Sequence, residues 1–151
     1  MLFRSTRAEA DTPETRRQRL ADADRVLTEG HAFLIPAGVE RAVAPATFSG
    51  RPELVAAIDA MMRRASPAGV AAALRGMAER RDARDDLRAI AVPTLVVVGA
   101  EDVITPPAGA AQLAAAIPGA TLTVIPDAGH LAPMEAPAAV NAALRELLSR
   151  S

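Results

Sequence analysis

The segment Thr94-Leu95-Val96-Val97-Val98 does most to decide what this chain can fold into. It is apolar and β-branched without alternation, so as a strand it must be covered on both faces. Residues Pro106 to Ile117 then read as a helix with Leu113 and Ile117 turned inward. Leu122-Thr123-Val124-Ile125 reads as a second strand, and Pro137 to Leu148 as a last helix carrying Val140, Leu144, Leu147 and Leu148. Strand, helix, strand, helix requires two parallel strands joined by a right-handed crossover. The rear of the chain, residues 89–151, is therefore expected to be α/β.

The front follows helical periods. Thr12-Pro13-Glu14 joins a hydroxyl cap, a first-turn proline and an early acid, which together open a helix that Gly30 closes. Residues 31–44 read as a second helical piece interrupted near Pro36 and Gly38, with Ser49-Gly50 as a turn. In Arg51 to Arg64, Leu54, Val55, Ile58, Met61 and Met62 form one broad apolar face. Ser66-Pro67 caps another helix, and Glu79 to Asp86 is a charged connector. The expected organisation is a linker with a strand stub over residues 1–11, a helical unit over 12–88 and the α/β part over 89–151.

Charge and composition exclude several classes. A net charge of -1 offers no electrostatic footprint for nucleic acid or an anionic membrane. The chain has no Cys and two His, which removes disulfides, thiolate chemistry and a zinc cluster, so no metal or cofactor is expected. No apolar run approaches the roughly 18–20 residues of a membrane span. Residues 1–7 lack the apolar region of a secretory signal, so the expected location is cytoplasmic.

Several stretches carry a family pattern: Thr6-Arg7-Ala8-Glu9-Ala10-Asp11-Thr12-Pro13-Glu14, Ser66-Pro67-Ala68-Gly69-Val70, Gly99-Ala100-Glu101-Asp102 with Thr105-Pro106-Pro107, and Gly129-His130-Leu131-Ala132-Pro133-Met134-Glu135-Ala136-Pro137. On these the chain resembles the α/β-hydrolase superfamily over nearly its whole length, and is similar to 3-oxoadipate enol-lactonases and related esterases. The resemblance implies a partial α/β-hydrolase fold: a short parallel sheet of about 2–3 strands with flanking helices and an all-helical cap. It also implies that Met1–Phe3 is what remains of the sixth sheet strand, with the nucleophile elbow and oxyanion-hole loop upstream.

The same resemblance assigns Asp102 as the acid and His130 as the base of a Ser-His-Asp ester or lactone hydrolase. In that chemistry the histidine takes the serine proton, and a buried carboxylate fixes the histidine tautomer. Glu101, next to the acid, is expected to point elsewhere. No Gly-x-Ser-x-Gly and no analogue with another nucleophile occurs in the 151 residues. Ser5, Ser49, Ser66, Ser149 and Ser151 are the available hydroxyls, and none lies on a strand–turn–helix elbow. His31 reads as a surface residue at a helix start.

Met134, four residues beyond His130, is a candidate to line the pocket of a small apolar ester or lactone; Met61, Met62 and Met77 read as packing. The chain has no Tyr, so the cap tyrosines of the superfamily's epoxide hydrolases have no counterpart. Two functions follow. One is a hydrolase represented by its cap and its acid–base half. The other is a non-catalytic remnant serving as an interaction or small-ligand module. Loss of the preceding strands is expected to bare a sheet edge, uncover faces of Val96–Val98 and drive self-association.

Overall fold

A three-stranded parallel sheet organises the computed structural model, which describes residues 1–150. Its strands are β1 (Leu2–Arg4), β2 (Leu95–Gly99) and β3 (Thr121–Ile125), lying side by side in that order. Leu2 pairs with Leu95 in register, and Leu95 in turn with Thr121. Between β1 and β2 run α1 (Pro13–Glu29), α2 (Ile35–Ala42), α3 (Pro45–Gly50), α4 (Pro52–Arg63) and α5 (Pro67–Ala78). A 3-10 segment, Arg84–Ala89, returns the chain to the sheet. The crossover α6 (Pro107–Ala116) links β2 to β3, and α7 (Ala132–Glu135) and α8 (Pro137–Ser149) follow. The expected α/β class and strand direction hold.

Every residue of β2 is buried, as its unbroken apolar run requires. On one face Val96 and Val98 pack with Ala8, Leu87, Ala110, Leu113 and Ile117. On the other, Leu95 and Val97 pack with Ile125, Ala128, Ala132, Val140 and Ala143. The expectation that Val96–Val98 would be uncovered is therefore corrected: α6 closes one face and α8 the other. Complete burial of a valine contributes about 1.5–3 kcal/mol. The apolar exposure lies instead at the flanks, on Met1, Leu2, Leu122 and Val124. On α8, Val140 is buried against Leu95 and Val97, while Leu148 is 70% exposed.

Prolines mark the helix starts. Each of α1 to α8 carries one in its first turn, where a missing N–H removes no helical bond. Pro36 accordingly lies in the first turn of α2, which follows a 3-10 turn at Ala32–Leu34; the expected interruption of 31–44 is thus a change of helix type just before Pro36, and α2 runs on through Gly38. Ser49-Gly50 ends α3 and is not a free turn. Thr12 and Ser66 act as the caps the sequence suggests: their hydroxyls accept from the Thr15 and Gly69 amides. Gly30, at φ +79, closes α1 in a conformation that suits glycine.

The helical unit has two small cores. Ala23, Val26 and Ala71 join α1 to α5, while Ile35, Val39, Val43 and Ile58 join α2 to α4. Ahead of α1, the carboxylate of Asp11 is buried between the guanidinium groups of Arg7 and Arg19. Arg19 also reaches the Met77 sulfur at 3.3 Å. This pairing fixes the linker against α1 and α5.

Candidate active site

Parallel strands place their following loops at one edge of the sheet, and Asp102 and His130 lie there on the loops after β2 and β3. Gly99 makes the meeting of those loops possible. A Cβ at Gly99 would sit 2.2 Å from the carbonyl oxygens of both Ala128 and Gly129, a separation no side chain tolerates. Backbone bonds then lock the approach: Ala100 N–H donates to Ile125 C=O at 2.8 Å, and Glu101 N–H to Ala128 C=O at 2.9 Å. Asp127, at φ +53, turns the chain toward His130.

The Asp102 side chain is fully buried, and both of its oxygens are occupied. Oδ1 accepts from the amides of Ile104 at 2.9 Å and Thr105 at 2.8 Å. Oδ2 accepts from the Thr105 hydroxyl at 2.8 Å. His130 Nδ1 lies 3.0 Å from Oδ2 and 3.2 Å from Oδ1. Burial alone would raise the Asp102 carboxyl. The bonds from His130 and from the Thr105 amide and hydroxyl outweigh it and hold the group below its ordinary value.

That network sets the histidine tautomer. An ionised carboxylate only accepts, so the Nδ1 facing it carries the proton. Thr105 Oγ1 also lies 3.3 Å from Nδ1, but its own hydrogen is engaged by Asp102. Nε2 is left with its lone pair. The ring is one-quarter exposed, so that lone pair can take a proton from a group arriving at the sheet edge.

Four further contacts hold the His130 loop. Arg4 Nη1 donates to the His130 carbonyl at 3.1 Å, and Leu131 N–H donates to the Ala42 carbonyl at 2.8 Å. Glu135 Oε1 accepts from Gly129 N–H at 2.7 Å, while its Oε2 accepts from Ala44 N–H at 2.8 Å. The sequence suggested Asp102 and His130 but no role for Thr105, Glu135 or Arg4. Thr105 carried a local signal, a hydroxyl three residues after an aspartate in a turn. Glu135 carried none, because one of its partners is on a distant helix boundary.

The other candidates lie elsewhere or are otherwise engaged. Met134, with Leu131, packs on Ile35, Val39, Val43 and Ile58. Met62 joins the same cluster, whereas Met61 is exposed. His31 stands at a helix start as expected, just before the 3-10 turn Ala32–Leu34, but it is half-buried, with Nε2 3.2 Å from the Met62 carbonyl, which corrects the expectation of a surface residue. Among the described residues no serine is hydrogen-bonded to His130. Ser49 and Ser149 bond to carbonyls of their own helices, and Ser66 caps α5. Ser5 follows β1 at φ +44, and its buried hydroxyl has no partner among the described residues. Ser151 lies outside the described residues. Among the described residues no group of three or more His, Asp or Glu is placed to hold a metal ion, and no helix is long and apolar enough to cross a membrane.

Comparisons with known proteins bear on this geometry. The model of the alpha/beta hydrolase family matches residues 6–143. The 3-oxoadipate enol-lactonase 2 of Acinetobacter baylyi is 30% identical over 130 residues, covering 86% of this chain and 48% of that protein. Among solved structures, a thermophilic esterase from Thermogutta terrifontis superimposes with a TM-score of 0.95 at 44% identity, over 99% of this chain and 55% of the esterase. The enol-lactonase from Burkholderia xenovorans LB400 superimposes at 0.86 with 27% identity, over 98% of this chain and 55% of the lactonase. The chain thus spans about half the length of each of these relatives.

Proposed function

This chain belongs to the alpha/beta hydrolase family, and from that premise we propose that it supplies the acid and the base of a Ser-His-Asp hydrolase acting on small apolar esters or lactones. The observation that carries the reading is the buried Asp102 carboxylate on His130 Nδ1, at 3.0 Å, with one-quarter of the histidine side chain exposed. Similarity to an esterase and to enol-lactonases supports the substrate class. In this reading the serine and the oxyanion-hole donors lie outside these 151 residues.

The mechanism assigns one task to each group. His130 Nε2 takes the serine proton as the hydroxyl oxygen attacks the acyl carbon. The imidazolium then returns that proton to the departing alkoxide, or to the ring oxygen of a lactone. Water, deprotonated by the same nitrogen, releases the acid and restores the serine. Asp102 keeps Nδ1 protonated and stabilises the imidazolium. Thr105 holds the carboxylate by its hydroxyl and amide, so the acid does not rotate away from the ring. Met134 stands on the cap side of the histidine loop as a candidate contact for the apolar part of the substrate.

Labelling with a serine-directed fluorophosphonate tests the division of groups. The 151-residue chain alone should remain unlabelled. Stoichiometric labelling of the folded chain overturns the assignment of the nucleophile to residues outside it.

A second reading is favoured by the exposed Leu2 on β1 and Met1 just before it, since β1 hydrogen-bonds to one neighbouring strand. In it the chain acts as an interaction module that associates with itself through that edge.

A further inference from the structure

Glu135 is a buried acid whose two oxygens serve two different parts of the molecule. Its residue exposure is 8%. Oε1 accepts the amide of Gly129, immediately before His130, at 2.7 Å. Oε2 accepts the amide of Ala44, at the boundary between α2 and α3, at 2.8 Å. Both amides belong to buried residues on irregular backbone, where an unpaired N–H carries a penalty.

Three further features converge on the same seam. A Cβ on Gly129 would lie 2.6 Å from the Val43 carbonyl carbon and 2.7 Å from the Ala44 nitrogen, so the two backbones are in direct contact. Leu131 N–H donates to Ala42 C=O at 2.8 Å on the other side of His130. Arg51, at the start of α4, donates to the Glu135 carbonyl at 2.7 Å. His130 is therefore bracketed by ties to the helical unit, and one carboxylate joins the residue before it, Gly129, to Ala44 of that unit.

The geometry points to Glu135 as a positioning residue: it clamps the His130 loop to the Val43–Ala44 backbone, so that the helical unit becomes part of the support that keeps Nδ1 on Asp102. This inference rests on the acid–base reading of Asp102 and His130. Glu135 does not touch the ring; it acts through Gly129. Displacement of the Val43–Ala44 segment would pull the same carboxylate and loosen the base.

The substitution Glu135→Gln isolates the clamp, because an amide presents a donor where one of the two N–H groups needs an acceptor. The test is the tautomer of His130, read from its ring 15N shifts in the 151-residue chain at a pH where the ring is neutral. The wild type should be held as the Nδ1–H form. E135Q, with its secondary structure intact by circular dichroism, should show a mixture of tautomers, and its Gly129 or Ala44 amide should exchange at least about tenfold faster.

A folded E135Q with the wild-type tautomer and unchanged exchange overturns the proposal. If E135Q does not fold, hydrogen exchange of the wild type decides. Protection of Gly129 and Ala44 equal within about threefold supports a common clamp, and a gap of about tenfold or more overturns it. A wild type lacking the Nδ1–H form overturns the acid–base reading itself and the clamp with it.

Discussion

Gly99 and Ala128 sit so close that a Cβ on the first would lie 2.2 Å from the carbonyl oxygen of the second. The acid loop and the base loop thus meet through a residue that has no side chain. Gly99→Ala should destabilise the chain by about 3 kcal/mol, because the obstructing atoms are backbone and cannot swing away. It should also part Asp102 from His130. Gly76→Ala, in open space within α5, should instead gain about 0.5–1 kcal/mol. Urea unfolding of the two variants measures the contrast.

Asp102 predicts an acid limb of stability. Its carboxyl is held below the ordinary 3.8 in the fold. A group depressed on folding contributes stability above its unfolded value, and the contribution disappears as pH falls through the folded value. The wild type should therefore lose stability relative to Asp102→Asn as pH drops below about 4, so that the difference seen at neutral pH narrows. Urea melts of both proteins across that range test this; a difference that stays constant contradicts it.

Burial separates two apolar side chains that the sequence treated alike. Val97 is fully buried in β2, while Leu148 is 70% exposed on α8. Val97→Ala should cost about 2 kcal/mol through lost contacts and a cavity. Leu148→Ala should stay within about 0.5 kcal/mol of the wild type. Thermal melts give both values.

The exposed flank of β1 predicts concentration-dependent association of the isolated chain, seen by sedimentation velocity. A single monomeric species across a wide concentration range contradicts the proposed edge contact.

Much of this arrangement was legible in the sequence. The run through Val98 and the strand at Leu122 announced a parallel pair, since apolar β-branched residues without alternation have few other places to go. The Asp102 and His130 loops followed from family pattern at the strand ends. Three things were not legible. α3 has too little apolar periodicity in Ala44-Pro45-Ala46-Thr47 to separate it from a turn. The inward face of α8 could not be divided between Leu147 and Leu148 by spacing alone. Glu135 meets Ala44 only after the helical unit folds back on the sheet, and no local pattern encodes a carboxylate that caps an amide so far away.

The most direct test of the central claim joins the preceding part of the Thermogutta terrifontis esterase ahead of residue 1 and measures hydrolysis of a short-chain p-nitrophenyl ester. The chimera should turn over, His130→Ala should abolish activity, and Asp102→Asn should lower kcat on the order of 10⁴-fold, the loss expected when the histidine tautomer is no longer held. A folded, active chimera whose rate is unchanged by either substitution would contradict the assignment of Asp102 and His130 as the acid and the base.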